Sequence, residues 1–408
     1  MGERAEAADI DGVIAWTIRA GLESLEQDAL ISGFCERLVA AGVPLARMQL
    51  GTGVVHPSIR GFSATWWDDQ GLVAEQSFSH SDRADPAWHR SPLVYMLQSG
   101  TEVLTVSLED GNRPAQWFAL FDDLKQVELT EYHAELFPFG WTSTADHETH
   151  IGELGVITSW STRQPGGFGK ALPDLRRAVA VFALALKTRV FTDSARALMQ
   201  TYVGQDAGER IIHGDVHRGD TQVIRAAILL ADLRGFTSLS DRHDSAEIVG
   251  LLNRYMAVLC GAVEQHGGQV LKFLGDGLLA VFDSRDGAER ATQALAAAVQ
   301  ALKGTDSLNA TLRAEGAPWM PLDIALHLGD VSYGNVGAEG RLDFTIIGPA
   351  VNEAARMEAA CSDLERHLLI SAAFAVELGD PDRLEDLGEH RLRGIAAPRT
   401  LFGLRVHD

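Results

Sequence analysis

The sequence predicts a protein of mixed α and β structure in two domains, an N-terminal α+β domain and a C-terminal α/β domain joined by a helical connector. Two observations predict this division. Seven of the eight tryptophans precede a Gln-Pro-Gly-Gly turn that begins at residue 164. After residue 223, apolar strand patterns alternate with amphipathic helix patterns. We therefore predict a first domain over residues 1–165, a connector over 166–222 and a second domain over 223–408.

The N-terminal region combines helical periodicity with short strand patterns. The helical pattern runs from Ile14 to Val39, and the strand patterns cover Ala46–Leu50, Gly61–Trp67, Leu72–Phe78, Glu102–Ser107 and Leu154–Trp160. In element order alone, this region resembles GAF and PAS sensor domains, and it carries no sequence fingerprint of either.

Three features of this region have both a functional and a structural explanation. The tryptophans, including the unusual pair Trp66-Trp67, could line a ligand pocket, although core positions in a small fold are more typical. His147 and His150 have i, i+3 spacing that could clip a metal, although a polar loop is more typical. Cys35 stands in an apolar stripe and is expected in the core.

The connector is predicted to begin with a long helix. Apolar residues recur from Pro173 to about Tyr202, and Pro173 followed by Asp174 suits a helix start. Residues 203–222 are polar and rich in turn formers, so we expect an irregular link there. A helix in this place could pair with its twin in a dimer and transmit a signal between the domains.

Strand and helix patterns alternate through the second domain. In chain order they cover Ile224–Asp232, Ser245–His266, Gln269–Phe273, Leu278–Phe282, Asp286–Leu302, Leu322–Leu328 and Pro349–Ala360. A Leu-Gly-Asp-Gly sequence joins two of these strands and predicts a hairpin.

Composition limits the partners of this chain. Its 408 residues include 35 basic and 56 acidic side chains, for a formal charge of −21, which disfavours nucleic acid and anionic lipid. A phosphate substrate remains compatible, since metal ions or basic groups reverse the field locally. The three cysteines, Cys35, Cys260 and Cys361, lack the spacing of a disulfide framework or zinc site. With no apolar run of ~20 residues and no signal peptide pattern, we expect a soluble cytoplasmic protein without a membrane span.

Two aspartates stand where strands of the second domain end. Asp232 follows the apolar run AAILLA, and Asp276 occupies the LGDG tip. Two carboxylates on neighbouring strands could hold two Mg²⁺ or Mn²⁺ ions about 4 Å apart, the arrangement for in-line attack at phosphorus. Taken alone, aspartates that cap strands and helices are the more typical explanation.

Three further side chains suit a nucleotide ligand. Lys272 precedes Asp276 by four residues, and strand alternation predicts that both share one face, where the amine could donate to a base or phosphate. Asn352 and Arg356 share one face of a predicted helix and could donate to a phosphoryl oxygen. Considered separately, a surface lysine and a solvated helix face are the more typical explanations.

The order of four segments is more specific than any single residue. ADLRGFTSLS, LKFLGDGLLAVF, HLGDVSYGNVG and RLDFTIIGPAVNEAARME together resemble the catalytic domain of class III nucleotidyl cyclases, over about residues 224–404. The resemblance implies a ferredoxin-like α/β fold, a nucleoside triphosphate substrate and two Mg²⁺ or Mn²⁺ ions per site. It further implies metal binding by Asp232, Asp276 and the Leu233 carbonyl. Lys272 and Thr345 would contact the base, Asn352 the ribose, and Arg356 the transition state. Other substrate contacts are implied for Phe236, Thr237 and Arg393.

Thr345 bears on the choice of base. Many members have aspartate at this position, and threonine resembles a bacterial subgroup that is mostly adenylate cyclase. A hydroxyl both donates and accepts, so it discriminates bases less sharply than a carboxylate. ATP is therefore the expected substrate, with GTP, a pyrimidine triphosphate or a catalytically silent nucleotide sensor as alternatives.

The resemblance also implies an assembly. Members form head-to-tail dimers in which one chain supplies the aspartates, and its partner supplies the base-contacting and transition-state residues. We therefore expect a homodimer with two shared sites. We also expect an unidentified small-molecule or protein effector at the N-terminal domain.

Overall fold

A computed structural model describes residues 9–80, 86–109, 114, 116–142 and 153–405. The chain forms two compact units, Met1–Leu198 and Met199–Asp408, and the division falls inside one long helix. His147 and His150 lie outside the described residues.

The first unit contains a six-stranded antiparallel sheet. Its strands are β1 (Arg47–Gly53), β2 (Ile59–Trp67), β3 (Gly71–Ser79), β4 (Val103–Ser107), β5 (Glu131–Thr142) and β6 (Glu153–Thr162), in the order β3-β2-β1-β6-β5-β4. Its helices are α1 (Ile10–Leu22), α2 (Gln27–Ala40), α3 (Pro86–His89), α4 (Pro92–Ser99), α5 (Ala119–Gln126) and α6 (Leu172–Val203), the last of which continues into the second unit.

Both faces of this sheet are covered. On one face, Met48 of β1 joins a core with α1, α2 and α6, in which Phe34 and Phe182 stack with ring centroids 4.4 Å apart. On the other face, Tyr132 of β5 joins a core with α4 and α5, including Phe121. Because side chains alternate along a strand, the neighbouring β5 residues Leu136 and Phe137 pack against different cores.

Two differences from the sequence prediction occur in this unit. The helical pattern over Ile14–Val39 is divided into α1 and α2 at Ser24, whose φ of 52° lies in the left-handed region. Strand β5 was not predicted, because polar residues such as His133 and Glu135 occupy its positions facing the α6 side. Cys35 is fully buried, as expected.

The second unit contains an eight-stranded sheet. Its strands are β7 (Thr221–Leu233), β8 (Gln269–Leu274), β9 (Gly277–Phe282), β10 (Leu322–Ala338), β11 (Arg341–Ile347), β12 (Leu368–Ser371), β13 (Leu384–His390) and β14 (Arg399–Leu404). The order is β13-β14-β12-β10-β7-β9-β8, and β11 pairs with β10. All pairs are antiparallel except β10–β12, so the predicted mixture of α and β structure is confirmed in its α+β form.

The helices of this unit lie on both faces of the sheet. They are α7 (Gln205–Ile212), α8 (Phe236–Ser240), α9 (Ser245–Gln265), α10 (Gly287–Glu315), α11 (Pro349–Ala360) and α12 (Ala372–Leu378). Along β7, Ala227, Leu229 and Ala231 pack with α9 and α10, whereas Ala226, Ile228 and Leu230 pack with α7 and α11. This alternation explains the continuous apolar run and places Asp232 on the α11 face.

Helix α9 has the length and apolar composition of a membrane span. No continuous apolar run revealed this, since Asn253 and Arg254 interrupt the pattern. Its Leu251, Tyr255 and Leu259 are buried in the core of the second unit. This packing is that of a core helix.

The connector is more ordered than its composition suggested. Helix α7 lies within residues 203–222 and packs on the sheet, where Ala207 is buried near Tyr333 and Phe344. The Tyr333 hydroxyl donates to Asp206 Oδ2 at 2.8 Å, and the Arg210 guanidinium lies 5.4 Å from the Tyr333 ring centroid. These contacts, which link residues more than 120 positions apart, were not visible in the local pattern.

Candidate active site

The fold brings Asp232 and Asp276 together. Asp232 is the penultimate residue of β7, and Asp276 lies in the turn that leads into β9, the neighbour of β7. Gly277 allows this approach, because a Cβ there would lie 3.1 Å from Asp232 Oδ1 and 2.8 Å from the Ala231 carbonyl. The two carboxyl groups are close enough to share a hydrogen bond.

The predicted common strand face for Lys272 and Asp276 is wrong. Strand β8 ends at Leu274, and its pairing with β9 shifts between Val270 and Lys272. The bulge and the turn therefore break the alternation on which that prediction depended.

Negative charge accumulates around the aspartate pair. Burial and the neighbouring Asp276 raise the pKa of Asp232 to about 6, while a hydrogen bond from the Leu233 backbone opposes the shift. Burial, together with Asp232, Asp323 and Asp276, raises the pKa of Glu358 on α11 to about 7. A cation would relieve this repulsion.

The donor set fits a hard divalent cation. Carboxylate oxygens are the ligands that Mg²⁺ and Mn²⁺ prefer. Across the described ranges, no group of three or more His, Cys, Asp or Glu is arranged to hold a metal ion. Two carboxylates would therefore share the ion with a carbonyl such as that of Leu233, with water and with substrate phosphates.

A charged cluster beside Asp232 escaped the sequence analysis. Asp323 pairs with Asp232 in the register of β7 and β10 and is only 4% exposed. Arg234 donates to both of its carboxylate oxygens, at 2.8 and 2.9 Å, and His367 Nδ1 lies 2.8 Å from Oδ1. This cluster fixes the strand end that carries Asp232. Its signal was an aspartate within an apolar strand, the same pattern that marked Asp232.

Lys272 and Thr345 lie on strands that contact one another, β8 and β11. Lys272 Nζ donates to Asp343 Oδ2 at 2.5 Å, a partner that the sequence analysis did not identify. Thr345, two residues beyond Asp343, is 4% exposed, and its hydroxyl has no hydrogen-bond partner. A buried hydroxyl without a partner is costly, so this position suits the polar edge of a ligand.

Asn352 and Arg356 lie on the exposed side of α11, opposite the buried Ala354 and Met357. Neither side chain is hydrogen-bonded or ion-paired within the described part of the chain. Neither side chain forms a hydrogen bond or ion pair with Asp232 or Asp276 of the same chain.

The remaining predicted residues occupy varied settings. Leu233 is buried, and Phe236 packs against the core of the second unit. Thr237 is exposed in the first turn of α8, a helix that follows Gly235, whose φ is 87°. Arg393 is exposed in the loop between β13 and β14. It is distant from the other predicted residues in sequence and forms no hydrogen bond or ion pair with them.

Comparison with known proteins finds a family that this part of the chain resembles. Residues 220–400 match the family described as the adenylate and guanylate cyclase catalytic domain. The matched residues include all four of the segments that resemble class III cyclases.

Individual proteins are also similar to this chain. An adenylate cyclase of Anabaena cylindrica is 33% identical over 169 residues, which cover 41% of this chain and 34% of the relative. Adenylate cyclase 1 of Rhizobium meliloti is 28% identical over 278 residues, which cover 67% of this chain and 37% of the relative. The solved adenylyl cyclase CyaB from P. aeruginosa is 28% identical, with a TM-score of 0.41 over 46% of this chain and 97% of that one. This chain thus spans little more than a third of the two curated relatives.

Proposed function

We propose that this chain is an adenylate cyclase that converts ATP to 3′,5′-cyclic AMP and pyrophosphate. The observation that carries the proposal is the convergence of Asp232 and Asp276 at one end of the sheet, where burial and the like charge of Asp276 raise the pKa of Asp232 to about 6. The two relatives named adenylate cyclase support ATP as the substrate.

The reaction forms a bond from the ribose 3′-oxygen to the α-phosphorus and breaks the bond to pyrophosphate, and the 3′-hydroxyl proton passes to Asp232 or to water. Asp232, Asp276 and the Leu233 carbonyl would hold Mg²⁺ or Mn²⁺. Such ions lower the pKa of the hydroxyl and neutralise phosphate charge. Arg356 donates to the α-phosphate oxygens as charge accumulates, and Asn352 orients the ribose.

Lys272 and Thr345 hold the base in this proposal. An ammonium group has three protons, so Lys272 can donate to adenine without leaving Asp343. The unpaired Thr345 hydroxyl accepts from the exocyclic amine. Phe236, Thr237 and Arg393 are proposed to contact the phosphates.

The active site is proposed to be shared in a homodimer. Arg356 and Asn352 are exposed and unpaired in one chain, and nothing in the described ranges connects them with the aspartates. A second copy that supplies them across an interface would complete the site.

The direct test is product analysis with purified protein. ATP, GTP, CTP and UTP are each incubated with the protein and Mn²⁺ or Mg²⁺, and products are identified by mass spectrometry. We expect cyclic AMP from ATP at the highest kcat/KM. A different preferred nucleotide would replace ATP in the proposal, and no cyclic product from any would contradict it.

A matched pair of variants tests the metal site. Asp276→Asn is expected to lower kcat/KM by at least about 100-fold, because it removes a proposed ligand. Asp283→Asn, an exposed aspartate just after the other end of β9, is expected to leave the rate unchanged. Equal rates for both variants would contradict the proposal that Asp276 binds a metal ion.

Regulation of the cyclase by residues 1–165 through the connector is also proposed, in a cytoplasmic setting. The contact of Arg210 with the Phe344 ring, at 5.2 Å from its centroid, couples α7 to the strand that carries Thr345. A chain that begins at Met199 keeps the second compact unit. We expect its cyclase activity to differ from that of the full chain, and equal activity would argue against regulation.

A further inference from the structure

One charged side chain in the first unit is buried without a counter-ion. Four guanidinium or carboxylate side chains are buried in the described part of the chain. Three have a partner of opposite charge: Glu135 with Arg176, Arg290 with Glu377, and Asp323 with Arg234. The fourth, Arg47, is 6% exposed and has no carboxylate partner.

The contacts of Arg47 satisfy only part of its guanidinium. Nη2 donates to the neutral Gln49 Oε1 at 2.6 Å, whereas Nη1 is buried without a hydrogen-bond partner. The guanidinium lies 5.7 Å from the centroid of the Trp67 ring. Burial lowers the pKa of Arg47, which is the direction expected for a cation that lacks an anion.

Three buried hydroxyl groups lie on the same sheet face as Arg47. Ser161 pairs with Arg47 across β6 and β1, and with Tyr132 across β6 and β5. Ser159 lies two residues along on the same face. All three hydroxyls are buried: that of Ser161 has no hydrogen-bond partner, and those of Ser159 and Tyr132 have only each other within reach.

Burying polar groups without partners costs free energy. Each unsatisfied buried polar group costs about 1–3 kcal/mol, and an unpaired charge costs more. Arg47 Nη1 and the Ser161 hydroxyl lie beside the Tyr132–Ser159 pair on three adjacent strands, which span about 10 Å, and therefore indicate a common missing partner. Guanidinium and hydroxyl donors together select an anion.

Aromatic side chains near these groups indicate what else the missing ligand contains besides its anionic group. Tyr132 contacts Phe121 with ring centroids 5.1 Å apart, and Phe121 in turn contacts Phe118 and Trp117 at 5.4 and 5.3 Å. Trp67 lies on the Arg47 side. An aromatic wall next to an anion site suits a planar or apolar molecule with one acidic group.

We propose that the first unit binds a small aromatic carboxylate between Arg47, Ser159, Ser161 and Tyr132 and the aromatic side chains of α5 and its flanking residues. The carboxylate accepts from Arg47 Nη1 and the hydroxyls, and its ring packs against the aromatic wall. Binding does not depend on the cyclase chemistry, so this proposal stands or fails separately from the proposed function.

The test uses the full chain and three carboxylate probes: benzoate, phenylacetate and indole-3-acetate. The matching amides, benzamide, phenylacetamide and indole-3-acetamide, are neutral controls of the same shape. We expect at least one carboxylate to raise the Tm by about 5–10 °C at 100 times its Kd, and its amide to have no effect. If none of the three carboxylates shifts the Tm, the proposal is overturned.

Two arginines give a matched comparison. Arg47→Met is expected to abolish the ligand-induced shift. Arg163→Met is expected to retain it, since Arg163 also lies 5.7 Å from the Trp67 centroid but is paired with Asp68 at 2.7 Å. Tyr132→Phe keeps the ring and removes one donor, so we expect the Kd to rise about 3- to 10-fold.

The ligand-free Arg47→Met variant tests the premise itself. Replacing an unpaired buried cation with an apolar side chain of similar length is expected to keep or raise the Tm. A Tm lower by many degrees, with Arg163→Met unchanged, would mean that Arg47 already has a partner within the protein and would overturn the proposal.

Discussion

The buried hydroxyl of Thr345 offers a test of base recognition at the scale of one residue. Thr345→Val keeps the shape and removes a group that has no partner in the ligand-free protein. We expect unchanged or slightly higher stability, because an unsatisfied polar atom is removed. We expect kcat/KM for ATP to fall about 3- to 12-fold, the value of one neutral hydrogen bond.

Thr305 provides the control for that substitution. It is also a buried threonine whose hydroxyl has no partner, and it lies in α10, away from the proposed site. Thr305→Val should leave the steady-state kinetics unchanged. If both variants lose activity equally, Thr345 does not contact the base.

Glu358 predicts a pH dependence of stability. Its pKa is raised to about 7, so the folded protein resists ionisation of this carboxyl more than the unfolded chain does. Below about pH 4 both states are protonated and no penalty exists; the penalty grows as the pH rises from about 4.5 to 7 and stays at its full value above that. Glu358→Gln should therefore raise the urea midpoint of the metal-free protein at pH 8 and have a smaller effect at pH 5.

Glu353, on the same helix as Glu358, is the control, and its substitution is not expected to raise the stability. It accepts from Arg399 Nε at 2.8 Å, so Glu353→Gln removes an ion pair and should leave stability equal or lower at pH 8. A lower urea midpoint for Glu358→Gln than for wild type at pH 8 would contradict the repulsion around Asp232.

At the scale of elements, a hydrogen bond from Tyr333 helps to hold α7 on the sheet. Tyr333→Phe removes the donor to Asp206, and we expect a loss of about 1–3 kcal/mol, as for a hydrogen bond to a charged group. Hydrogen exchange of the α7 amides should become faster. Asp206→Ala should have a similar effect, and the double variant should add little to either, since both remove the same interaction. Additive losses would mean that the hydrogen bond does not hold α7.

Elements with strong periodicity were predicted well, and elements held by distant contacts were not. Pro349–Ala360 was predicted with the bounds of α11. The strand predicted over Leu322–Leu328 extends to Ala338, because β11 pairs with its second half. The helix predicted over Asp286–Leu302 extends to Glu315, where Asn309 accepts from the Tyr255 hydroxyl at 2.6 Å.

At the scale of the whole molecule, a shared active site predicts complementation. Asp232→Ala and Arg356→Ala should each be inactive as homodimers. When equal amounts are mixed and allowed to exchange, half of the dimers are mixed, and each has one intact site of two. We therefore expect about a quarter of the wild-type activity per chain.

The control for complementation mixes Asp232→Ala with Asp276→Ala. Both variants lack the same half of the site, so their mixed dimers should remain silent. Mixed dimers of the first pair that form, as judged by native mass spectrometry of differently tagged chains, and remain silent would contradict the shared site.

The sequence by itself predicted a cyclase-like domain over about residues 224–404, where residues 220–400 match the cyclase family, and it predicted the alternation of buried strands and helices. It did so because apolar periodicity and ordered motifs are local properties of the chain. The tertiary structure alone brought Asp232 next to Asp276, added Glu358 and Asp323 to their surroundings, and left Arg47 buried without an anion. Such facts depend on which strands become neighbours and on what surrounds each charge, and no local pattern carries that information.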